Sequence, residues 1–200
     1  MRDPDIADDA LPRDLRRKML LRVLDNLKRA IYDLRACNGI LRGNPMYSGP
    51  QVFPLAKDAL YMQSILRAAK AFDHHPQAAS FIKLQSLRPD IVADVAKAHQ
   101  FDLARLTEFA TKLRKIRNRA LAHDDLADLR RDRDVWDEQE LSAGEFIACT
   151  EFAFAALNEM FNLEFGEKIE LLAYDGADAE ELARTANQLG LPQKWMNRLF

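Results

Sequence analysis

The chain has 200 residues, 48% hydrophobic and 30% charged, with a formal net charge of -2. That is enough for one domain with a sizeable core, with or without an appendage, and it excludes nucleic-acid binding driven by overall charge. Seven glycines and few β-branched residues, against abundant Ala, Leu, Arg, Glu and Lys, argue for helix over sheet.

Residues 1–12 carry four aspartates and two prolines and read as a flexible N-terminal arm. A first helix is expected from about Arg13 to Asn38. Leu20, Val23, Leu24, Leu27, Ile31 and Leu34 repeat at helical spacing, and Gly39 is expected to stop it. Residues 39–53 are turn-rich, and Pro54 can open a second helix. The buried face of that helix is expected to be Leu55, Ala59, Met62, Ile65, Leu66, Ala69 and Phe72, with a break at His74-His75-Pro76. Short helices follow at about Ser80–Leu87 and Pro89–His99. Asp102 is placed to cap a long helix from Leu103 to about His123.

Residues 124–141 form a charge-dense loop containing Arg130, Arg131, Asp132, Arg133, Asp134 and Trp136. Ser142 and Glu145 have capping-box spacing and start a phenylalanine-rich helix that ends before Gly166. A short segment, Lys168–Ala173, and a last helix capped by Asp178 and stopped by Gly190 complete the chain. Cys37 and Cys149 lie in helical patterns and read as small apolar fillers, not as a disulfide framework. No apolar run reaches membrane-spanning length and the acidic N-terminus lacks a signal-peptide core, so a cytoplasmic protein with no membrane role is expected.

The helix ending in Ile116-Arg117-Asn118-Arg119-Ala120-Leu121-Ala122-His123-Asp124 carries the chemistry. Leu106, Phe109, Ala110, Leu113, Ile116 and Ala120 form its apolar stripe. Arg117 and His123 fall roughly 60° to either side of that stripe and about 9 Å apart along the axis. A guanidinium stabilises charge on phosphate, and an imidazole moves protons near neutral pH. On one straight helix the two do not meet. Two copies packed stripe to stripe about a two-fold axis could bring the Arg of one towards the His of the other.

Lys112, Arg114, Lys115 and Arg119 add a cationic surface suited to an RNA backbone, and Asn118 can orient a neighbour or fix the helix end. The alternative is that these cations only stabilise a helix C-terminus. His74-His75 beside Asp73 reads as a loop instead of a metal site, because adjacent ligands rarely share a tetrahedral ion. No metal and no cofactor are expected. There is no Gly-rich phosphate loop and no serine-nucleophile motif.

Arg-Asn, a short apolar stretch and His at a helix end resemble the signature of HEPN domains. The wider layout is similar to the abortive-infection AbiU-like branch. It includes a long first helix, then Leu60-Tyr61-Met62-Gln63-Ser64-Ile65-Leu66-Arg67 leading to Phe72-Asp73 and Ala79-Ser80-Phe81. The resemblance covers about residues 13–165 and leaves 166–200 as a C-terminal helical extension that either packs on the bundle or serves a partner.

It implies an all-α helical bundle, often a homodimer, with metal-independent endoribonuclease activity, as in a toxin or abortive-infection effector. By position, Arg117 and His123 become the catalytic pair and Asn118 their polar neighbour. RNA and an antitoxin or regulatory protein become the expected partners. HEPN proteins silenced by nucleotide transfer carry a Tyr two positions after the His. Here that position is Asp125, so silencing of that kind is not expected. A non-catalytic HEPN-like module binding RNA, nucleotide or protein is the alternative, and a purely structural dimer the third reading.

Overall fold

The computed structural model describes residues 11–44, 52–118 and 140–188. Seven helices occupy them: α1 (Arg13–Gly43), α2 (Val52–Ala71), α3 (Phe81–Leu87), α4 (Pro89–Ala98), α5 (Ala104–Ile116), α6 (Ala143–Phe165) and α7 (Ala177–Gln188). There is no strand among the described residues, so the chain is all-α. Also among them, no helix is long and apolar enough to cross a membrane. The expectations for Arg119, His123, the charged loop with Trp136, and Gly190 fall outside the described residues.

The chain divides into two compact units, Met1–Lys28 with Arg67–Glu170, and Arg29–Leu66 with Leu171–Phe200. In the first, α3, α4 and α5 pack on α6. Four of the five phenylalanines of α6 belong to the core: Phe146, Phe152, Phe154 and Phe161 are buried, while Phe165 is partly exposed. An edge-to-face chain of rings joins Phe72 at the end of α2 to Phe109 of α5 (5.1 Å) and Phe109 to Phe146 of α6 (5.6 Å). Such pairs stabilise beyond the area they bury.

The caps follow the sequence in part. Ser142 Oγ accepts from the Glu145 N–H at 3.0 Å and starts α6. Glu145 does not complete a capping box, because its carboxylate is turned to Lys112. Gly166, in left-handed conformation with φ 72, closes α6 by donating its N–H to Asn162 O. Asp102 Oδ1 accepts from the Ala104 N–H at 2.9 Å, but α5 begins at Ala104 with Leu103 in the N-cap position, one residue later than expected. The segment after α6 is pinned by Asn158, whose side chain exchanges two hydrogen bonds with the Ile169 backbone.

The second unit corrects two expectations. Gly39 does not stop α1, which continues to Gly43. Gly39 instead permits a close approach: an added Cβ there would collide with the Gly176 carbonyl oxygen, and one at Gly43 with the Glu180 carbonyl oxygen. Along α2 the expected face holds at Ile65, Ala69 and Phe72, which are buried, but not at the start of the helix. Leu55 and Ala59 are exposed, while Phe53 is buried with Ile40, Ala183 and Ala186, and Ala56 and Leu60 pack on this cluster. Two apolar stripes run along the start of α2, and α7 selects the one carrying the aromatic ring. The last helix begins one residue before Asp178, with Asp175 Oδ1 accepting from the Ala177 N–H. Residues 177–188 thus pack within this unit.

Gly39→Ala should lower unfolding stability by about 1–3 kcal/mol, the usual cost of forcing atoms into a packed contact. Gly144→Ala is the contrast, because a Cβ there meets only Ser142 Oγ at 3.9 Å. It should be neutral or stabilise by less than about 1 kcal/mol through helix propensity. Equal melting shifts for the two would contradict the close-approach explanation.

Cys37 and Cys149 are free and buried. Burial raises both thiol pKa values, that of Cys149 from 9.0 to about 11. A thiol that holds its proton more tightly when folded stabilises the fold below the unfolded pKa. That contribution is lost as pH rises from about 9 towards about 11. Both cysteines should react slowly with a thiol reagent at pH 8 in the native protein and rapidly after unfolding. Fast native labelling of Cys149 would show that its helix face is open.

Candidate functional site

The stripe of α5 lies inside the chain's own core. Leu106, Phe109, Ala110, Leu113 and Ile116 are each at most 3% exposed. Leu106, Phe109, Leu113 and Ile116 alternate at three and four positions, so one helix face is covered end to end. This overturns the stripe-to-stripe pairing of two copies, because that face is already covered by the chain's own aromatic core. Any pairing of copies must use another surface.

A fixed stripe also fixes what flanks it. Arg117 follows α5 in helical conformation, with φ -54 and ψ -48. Its guanidinium is held from two sides. Nη1 donates to Asp73 Oδ2 at 3.1 Å, and Nε donates to Asn118 Oδ1 at 3.1 Å. Asn118 is thus in direct contact with Arg117. Among the described residues these are the two hydrogen bonds of the Arg117 guanidinium. His123 lies outside the described residues, so its distance from Arg117 is not part of this geometry.

Arg117 borders a small crevice, with room for about one water molecule, between the end of α2 and the last turns of α5. Asp73, His74 and Arg114 line it with Arg117, over Ala69, Phe72, Ala110 and Leu113. Asp73 and His74 come from the turn that follows α2. Asp73 Oδ1 accepts from the His75 N–H at 3.0 Å, and His75 Nδ1 accepts from the Gln77 N–H at 3.3 Å. His74 is exposed beside two guanidinium groups. Sequence reasoning passed over Asp73 and His74 as site residues because it weighed them only as metal ligands and turn formers. No local spacing links positions 73 and 117. The one available signal was Phe72-Asp73 within the family-like layout.

The cationic surface is smaller than the sequence suggests. Lys112 Nζ is paired with Glu145, 2.9 Å from each carboxylate oxygen, and both side chains are mostly covered. Arg114 and Lys115 remain exposed, and Arg119 lies outside the described residues. Among the described residues no group of three His, Cys, Asp or Glu side chains is placed to hold a metal ion.

The model of one protein family matches this chain. It is HEPN_AbiU2, described as AbiU2, and the match spans residues 17–181. It reaches past residue 165, where the sequence resemblance was drawn to end, and takes in the start of α7. Neither curated proteins nor solved structures give a match to the chain.

Proposed function

The chain belongs to the AbiU2 family of HEPN domains, and from that premise we propose that it is a metal-independent endoribonuclease of the toxin or abortive-infection class. The observation that supports this most is Arg117. It is a guanidinium seated at the end of a helix anchored in the core, oriented by Asp73 and Asn118, and about one-third exposed. A preorganised cation of this kind stabilises the charge that develops on a phosphoryl group.

In the proposed reaction the ribose 2′-OH attacks the adjacent phosphorus. The new 2′-O–P bond forms as the P–O5′ bond breaks, leaving a 2′,3′-cyclic phosphate and a 5′-OH. His123 takes the 2′-hydroxyl proton or supplies one to the leaving 5′-oxygen, and Arg117 faces the non-bridging oxygens. Arg114, Lys115 and Arg119 guide the RNA backbone. A cytoplasmic homodimer, with an antitoxin or regulatory protein as a further partner, belongs to the same proposal. Its interface lies away from the buried face of α5.

Arg117→Ala and His123→Ala should each abolish RNA cleavage, or growth inhibition in cells, without unfolding the protein, and cleavage should persist in EDTA. Loss of general acid–base catalysis alone removes about 10²–10⁴-fold, which an endpoint assay resolves. Full ribonuclease activity in the purified double variant would make the catalytic assignment wrong. If the unmutated protein cleaves no RNA but binds it, the non-catalytic module replaces this reading.

RNA affinity should fall steeply with salt. Neutralising Arg114 and Lys115 together should weaken binding to different RNA sequences about equally. Lys112→Gln should change affinity little, since Glu145 already neutralises that ammonium group. Salt-independent affinity, or a loss in Lys112→Gln as large as in the double variant, would show that another surface binds.

A further inference from the structure

We infer that Asp73 is a positioning residue for the proposed phosphodiester cleavage: it holds the partly exposed guanidinium of Arg117 in the orientation in which it meets phosphate. The inference rests on the ribonuclease reading. Arginine has several rotatable bonds, and ordering them during the reaction would add to the barrier. Asp73 removes that freedom beforehand, because the carboxylate is itself fixed. Oδ1 is occupied by the His75 N–H, which leaves Oδ2 for Arg117 Nη1.

The turn that carries Asp73 is fixed as well. The Ala78 N–H reaches His75 O at 2.9 Å, and Lys83 Nζ reaches Pro76 O at 3.0 Å. The preceding residue, Phe72, is 2% exposed and packs its ring on Phe81 and on Phe109 of α5. Asp73 is thus tied by its neighbour to the same helix that ends at Arg117. The pair is 32% exposed on the Arg117 side and 29% on the Asp73 side. Ion pairs this accessible contribute little to stability, so a purely structural role explains the arrangement poorly.

Asp73→Asn is the test. The amide oxygen can still accept from the His75 N–H, but the NH2 then faces Arg117 with a donor where an acceptor is needed. Misplacing a catalytic group by a fraction of its length lowers turnover by about ten- to a hundredfold. Asp73→Asn should therefore lose that much kcat for RNA cleavage. Its KM should be unchanged or lower, because a negative charge has left the phosphate path.

Its melting temperature should match the parent. Asp73→Ser, which also keeps a turn-capping oxygen, should reproduce the kcat loss if the Asn variant proves unstable. Asp90→Asn, at an exposed ion pair with Arg88, is the charge-matched control and should cleave normally. Unchanged kcat, or a rise showing that Asp73 holds Arg117 back, would overturn the inference, as would loss of kcat only in step with melting temperature. A parent protein that never cleaves RNA overturns the ribonuclease reading and this inference with it.

Discussion

Burial of one face of α5 is the constraint from which the rest of the site follows. Leu106, Phe109, Leu113 and Ile116 are all but excluded from water. Fully burying side chains of this size stabilises by about 1.5–3 kcal/mol each. With that face held by Phe72 and Phe146 through Phe109, the rotation of α5 about its axis is set. Arg117 then has to project beside the end of α2, and that places it within reach of Asp73. A turn formed by the residues after Phe72 thereby becomes part of a crevice built on a helix far along the chain.

Charge is distributed in the same economical way. Five basic residues crowd positions 112 to 119 without an intervening acid. In the fold, Glu145 compensates Lys112 and Asp73 compensates Arg117. Each acid comes from a different element, α6 and the turn after α2. Arg114 and Lys115 sit on the exposed side of the same helix. The result leaves one guanidinium oriented by fixed partners and two exposed cations beside it.

Most of the helical order was legible because it rests on local signals. The Leu20-to-Leu34 repeat, Ser142 as a cap and Gly166 as a stop each act within one or two turns. What the sequence hid depends on partners far away. Gly39 looks like a helix terminator until the Gly176 backbone lies against it. The face of α2 could be drawn through Leu55 or through Phe53, and only Ala183 and Ala186 decide for Phe53. The stripe of α5 reads equally as an interface between copies or as core, since periodicity says that a face is buried and not by what. At the site, Arg117 and Asn118 were visible as a dipeptide at a helix end. Asp73 was not, because an ion pair across forty-four positions leaves no spacing to read.

The central claim is that Arg117 and His123 promote attack by a ribose 2′-hydroxyl on its own phosphate. The most direct measurement maps the cleavage position in an RNA oligonucleotide. It then replaces the single 2′-OH on the 5′ side of that bond with 2′-O-methyl. The account predicts a 2′,3′-cyclic phosphate and a 5′-OH on the unmodified strand, and no cleavage at the blocked position. Cleavage of the blocked strand at the same bond, or a 5′-phosphate product, would contradict it, because water would then be the nucleophile.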